Sequence, residues 1–115
     1  YMNDAQKTAN YTISKCIDGS ANVLRDEGSG DGALFKGIFI RYFLDYLQRD
    51  AIPDAFRLKF ESFLRNNGRI AWTQATDPNF ALFGSSWAQR PGGNVELTGQ
   101  TSAAMLFEAL AIYEK

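Results

Sequence analysis

The sequence contains no histidine. That removes Ser–His and Cys–His nucleophile pairs and every histidine-ligated metal site. Its single cysteine, Cys16, forms neither an internal disulfide nor a thiolate zinc cluster, so the redox compartment stays open. Neither sign of charge is in large excess: 12 Lys and Arg stand against 13 Asp and Glu, for a net charge of -1. Nothing here is basic enough to track a phosphate backbone, so no nucleic-acid partner is expected. No apolar run approaches the roughly 20 residues that a bilayer requires, so no membrane span is expected. The opening residues, Tyr1-Met2-Asn3-Asp4, show no signal-peptide pattern. No cofactor and no metal is implied. Carboxylate, lysine and tyrosine chemistry remain.

What is present is core material. The 115 residues are 45% apolar and include 9 Phe, 5 Tyr and 2 Trp, enough for one domain's worth of buried side chains. Periodicity predicts an all-α chain of four helices. The first, over about 3–17, carries Ala5, Ala9, Ile13, Cys16 and Ile17 on one narrow stripe. The second, over about 32–49, spreads Ile38, Phe39, Ile40, Tyr42, Phe43, Leu44, Tyr46 and Leu47 around roughly two thirds of its circumference, with Lys36 projecting from the apolar arc. A third helix, over about 54–67, starts after Pro53, carries Phe56, Phe60, Phe63 and Leu64 as a narrow stripe, and should stop at Asn66-Asn67-Gly68. In the fourth, over about 99–114 with Thr98 as N-cap, residues from Ala103 to Ile112 are apolar almost all the way round.

Narrow, wide, narrow, all-round is the order of outer, inner, outer, inner. The inner-to-outer link at 50–53 is short, and the links at 18–31 and 68–98 are long. Two helical hairpins with short turns on one face and long loops on the other fit an α/α toroid or solenoid, and the hairpins share no repeat of the tetratricopeptide kind. The second and fourth helices should lie side by side and be more buried than the others. Two amphipathic helices cannot cover both, so the chain should be part of a larger ring or should self-associate, exposing an apolar patch when alone.

Two stretches carry a resemblance. One is Gly30-Asp31-Gly32-Ala33-Leu34-Phe35-Lys36-Gly37-Ile38-Phe39-Ile40-Arg41-Tyr42-Phe43. The other is Leu82-Phe83-Gly84-Ser85-Ser86-Trp87, continued by Glu96-Leu97-Thr98-Gly99-Gln100-Thr101-Ser102-Ala103-Ala104-Met105. In order and spacing they resemble the later inner-helix segments of glycoside hydrolase family 76, the α-1,6-mannanase family. The resemblance implies that residues 1–115 are the C-terminal part of an (α/α)6 toroid, roughly its last third. It also implies a carbohydrate hydrolase acting on mannan by retention, a mannan-type polysaccharide partner, and an extracellular or cell-surface setting. Retaining hydrolysis needs two carboxyls about 5 Å apart across the scissile bond. The family uses neighbouring aspartates from an earlier hairpin. The adjacent acids here, Asp26-Glu27, lie in the wrong motif, so no catalytic residue is assigned and the chain alone should be inactive. The alternative is a non-catalytic all-α binding or scaffold module.

Four residues are candidate substrate contacts. Asp31, before a helix, is either an N-cap or an acceptor for sugar hydroxyls. Lys36 either snorkels past its neighbours or donates into a cleft. Trp87 either stacks on a sugar or anchors its loop. Gln100 either caps the last helix or contacts ligand. If the inner helices run parallel, all four gather at one end. Three other patterns carry nothing. The Gly-x-Gly-x-x-Ala spacing of Gly28, Gly30 and Ala33 mimics a dinucleotide fingerprint without a preceding strand. The run from Asp18 lacks the glycine and glutamate of a calcium loop. Asn10-Tyr11-Thr12 is a glycosylation sequon inside a predicted helix.

Overall fold

The computed structural model describes residues 1–115. Four helices dominate: α1 (Met2–Lys15), α2 (Phe35–Leu47), α3 (Asp54–Ile70) and α4 (Leu97–Tyr113). No helix is long and apolar enough to cross a membrane. The core gathers Ile40, Phe43 and Leu47 of α2, Phe60, Phe63 and Leu64 of α3, and Ala103 and Leu106 of α4, with loop residues Phe83 and Trp87 packed among them.

The inner pair is as expected. α2 and α4 make the most extensive helix–helix contact. Gly37 N–H donates to Ser102 Oγ at 2.8 Å, a separation of 65 residues. Gly30 N–H, one turn before α2, donates to the Glu96 carboxylate just before α4, a separation of 66 residues. Nearly equal offsets mean that the two helices run parallel. Their N-termini therefore share one end. The helices cross tightly because Gly37 has no side chain: a Cβ there would stand 2.8 Å from Ser102 Cα.

Burial corrects part of the expectation. α2 buries 7 of its 13 residues, but α4 buries 5 of 17 and α3 buries 6 of 17. α4 is thus no more buried than the outer α3. Its sequence is apolar all round, yet Ala104, Ala111 and Ile112 remain exposed. Phe35, Ile38 and Tyr42 on α2 are likewise exposed.

The stop at Asn66-Asn67-Gly68 is also corrected. α3 runs through it to Ile70 and on into a π-helical turn, Ala71–Ala75, where Thr76 Oγ donates to Ala71 O. The three residues serve packing instead. In the link after α1, β1 (Ile17–Asp18) and β2 (Val23–Leu24) pair antiparallel, Ile17 opposite Leu24. Asn22 sits at φ 54 in the turn between them. The buried Asn67 accepts from Leu24 N–H at 2.9 Å and donates to Phe63 O at 2.9 Å. Asn66 donates to Ala21 O and Asn22 O. Gly68 admits Leu110 of α4, whose Cδ1 would lie 2.1 Å from any Cβ. Tertiary contact thus overrides a local stop signal. The run from Asp18 is a tight turn in which Ser20 N–H and Oγ both donate to Asp18 Oδ1, lowering the Asp18 carboxyl below its usual range.

Two caps differ from the reading as well. The start predicted for the second helix is a 3-10 turn, Gly30–Leu34, with Asp31 inside it and Ser29 at the flanking position. α4 begins at Leu97, so Thr98 lies within its first turn and Glu96 takes the N-cap position. The Glu96 carboxylate accepts both Gly30 N–H, from the turn before α2, and the Thr98 hydroxyl in the first turn of α4.

Candidate functional site

The shared N-terminal end of α2 and α4 is covered by the loop that returns the chain from the π turn to α4. This loop is pinned residue by residue. Asp77 Oδ1 accepts the amides of Asn79 and Phe80. Phe83 is buried against Phe107, with ring centroids 5.3 Å apart, and its N–H donates to Gln100 Oε1 at 2.9 Å. Gly99 lets the loop lie flat on α4, since a Cβ there would stand 3.1 Å from the Gly84 carbonyl oxygen. Trp87 is 1% exposed and fills the core beneath the loop.

Between this loop and the segment before α2 lies an open cleft of about 320 Å³. Only 2 of its 14 lining residues are hydrophobic. Asp26, Ser29, Ser85, Arg90, Asn94 and Glu96 set its character. Both carboxylates also hold backbone. Asp26 Oδ1 accepts Gly28 N–H at 2.8 Å while its Oδ2 accepts Ser85 Oγ at 3.0 Å. Glu96 Oε2 accepts Gly30 N–H at 2.6 Å. Arg90 forms none of the chain's salt bridges, which leaves its guanidinium free at the rim. No cluster of carboxylate, Cys or His side chains is arranged to hold a metal ion. A polar, open cleft with two acceptors, a free guanidinium and amide side chains suits a neutral polyhydroxylated ligand.

In structure, the chain resembles the GH76A α-1,6-mannanase from Salegentibacter sp. HEL1_6, with a TM-score of 0.91 and 37% identity over 97% of this chain. The chain matches the C-terminal part of glycoside hydrolase family 76. It spans 33% of the length of that mannanase. The same values relate it to inactive variants of that enzyme, altered at two consecutive aspartates, in complex with α-1,6-mannotetrose and α-1,6-mannotriose. A protein from Listeria innocua matches with a TM-score of 0.84 and 30% identity, over 99% of this chain and 31% of its own. No family model matches the sequence, and no curated protein does.

Within the chain, the four residues singled out from sequence fall in distinct places at one end. Asp31 is exposed on the 3-10 turn, and its side chain makes no hydrogen bond. Lys36 is 3% exposed. Its ammonium donates to the Ser85 carbonyl and stands 5.0 Å from the centre of the Trp87 ring. Burial pushes it down from 10.5 to about 8, against the upward pull of Asp26 and Glu27. Gln100 spends its carbonyl on Phe83. Thus Lys36, Trp87 and Gln100 meet behind the loop, while Asp31 stands outside on the turn. Asp26, Ser85, Arg90 and Glu96 line the cleft and were missed. Ser85 and Glu96 lie inside the very motifs that carry the resemblance, which was the available signal. From sequence, Asp26 reads only as half of a non-catalytic pair with Glu27. Arg90 carries no local signal, because only the fold of its loop brings it to the cleft rim.

Proposed function

We propose that residues 1–115 are the C-terminal third of an (α/α)6 glycoside hydrolase domain that cleaves α-1,6-mannan with retention, and that the polar cleft is one wall of its substrate groove. The observation that carries this reading is 37% identity, across nearly the whole chain, to a segment of an α-1,6-mannanase. The cleft chemistry supports it, because carboxylate and amide acceptors suit the hydroxyls of a neutral sugar. On this reading Asp31 reaches sugar directly from the turn. Lys36, Trp87 and Gln100 act from behind the loop, holding the surface on which mannose rests. Asp26, Arg90 and Glu96 join them at the front. The nucleophile and the acid/base come from another hairpin, since this sequence has no two consecutive aspartates and retention needs a carboxylate pair about 5 Å apart. The exposed apolar faces of α2 and α4 meet the remainder of the ring. The competing reading is a helical binding module without chemistry, favoured only by that missing pair.

The test is hydrolysis. The gene-length product should release reducing ends from α-1,6-mannan, and residues 1–115 alone should not. A gene-length product that binds mannan without cleaving it would favour the binding module. Turnover by residues 1–115 alone would contradict the assignment of the catalytic pair to another hairpin.

A further inference from the structure

We infer that Lys36 is a positioning residue: from beneath the cleft it joins two distant loop segments and sets the place of the Asp26 carboxylate on the cleft wall. This rests on the reading of the cleft as a sugar-binding wall.

Lys36 does not line the cleft. It has no carboxylate within ion-pair distance, and Asp26 and Glu27 act on it only at longer range. An ammonium buried without a counter-ion is costly, and its partners here are a backbone carbonyl and a ring face. The carbonyl belongs to Ser85. The hydroxyl of the same residue donates to Asp26 Oδ2, 59 residues away in sequence. The other oxygen of Asp26 accepts Gly28 N–H. Ser85 is therefore a joint, gripped at its carbonyl by Lys36 and gripping Asp26 with its hydroxyl. The base of the lever is firm, because the next residue, Gly37, is bonded to Ser102 of α4 and cannot shift without parting the inner helices. The Trp87 ring closes the other side of the ammonium. Pulling the Lys36 donor away releases the 84–87 segment first and Asp26 with it. Asp26 and Ser85 both face the cleft, so its width at this point is fixed by a residue that no ligand touches.

Amide hydrogen exchange at neutral pH tests this in residues 1–115. Lys36→Met should speed exchange about tenfold or more in both 84–88 and 26–30, the size expected for a lost charge-assisted hydrogen bond. Exchange within α1 and within the first turns of α3 should stay unchanged. Ser85→Ala keeps the carbonyl but removes the hydroxyl, so it should loosen 26–30 and leave 84–88 protected. Equal acceleration everywhere would reduce Lys36 to a general stabiliser and overturn the inference. So would acceleration of 84–88 without 26–30. If Lys36→Met does not fold, Ser85→Ala alone decides: no change in 26–30 removes the joint. Adding α-1,6-mannotetraose separates this idea from the one beneath it. Loosening as described, with no protection of 84–96 by the sugar, keeps the joint and sinks the sugar-binding reading. Protection by the sugar without the loosening does the reverse.

Discussion

Lys36→Met should change how stability depends on pH. In the wild-type fold the ammonium is lowered from 10.5 to about 8 by burial. The unfolded chain therefore binds the proton more tightly than the folded one. At pH 7 both states are protonated, and the folded state carries a cost of about 3 kcal/mol for the shift. As pH climbs from about 8 towards 10.5, the folded state sheds its proton while the unfolded state keeps it. Stability from this group therefore rises over that window and does not fall. Between pH 7 and pH 9.5 the wild type should gain about 2 kcal/mol relative to Lys36→Met, which has nothing to titrate at this position. Other groups cancel in the comparison, including Tyr46 and Tyr113, whose hydroxyls burial pushes up. Urea unfolding of both proteins at the two pH values gives the difference directly. A difference constant with pH would mean that the ammonium is as well solvated folded as unfolded. That would refute its burial, and the joint with Ser85 would lose its basis.

The two glycine contacts against α4 should differ in cost. Gly37→Ala places a methyl against the backbone of Ser102, which cannot give way, so a loss of about 1–3 kcal/mol is expected in urea unfolding. Gly68→Ala meets only the tip of Leu110, which can rotate, so the loss should be clearly smaller. The opposite ranking would contradict the close parallel crossing of α2 and α4. Asn67→Ala strips the buried partner from Leu24 N–H and should cost about 1–3 kcal/mol. Exchange at Leu24 should rise with it, and unchanged protection there would contradict the docking of the short hairpin on α3.

The layering of the fold was legible because burial is written in the width of each apolar stripe. α1 and α3 read as outer helices and α2 as inner from side-chain spacing alone. α4 was legible in kind but not in degree, because an apolar circumference states what a helix can bury, not what lies beside it. Asn66-Asn67-Gly68 misled for a related reason. Asparagine and glycine favour a helix end locally, yet an amide satisfied by Leu24 and Phe63, and a glycine that admits Leu110, favour helix once the β1–β2 turn docks. The site was legible where residues sit in helices. Lys36 announced itself as a charge on an apolar arc, and Gln100 as a polar residue opening a buried helix. The cleft itself lies in the loops around Asp26 and Arg90. There, placement follows from long-range hydrogen bonds such as Ser85 to Asp26, and no periodicity encodes them.

If the cleft between the α2 and α4 N-termini belongs to a mannan groove, the cleft itself should bind the sugar. Titrating isotope-labelled chain with α-1,6-mannotetraose, and following the backbone amides by NMR, tests it most directly. Shifts should be confined to residues 26–33 and 84–99, and should be lost in Glu96→Ala. Shifts centred on the exposed apolar face of α2 and α4, or none at millimolar sugar, would contradict it.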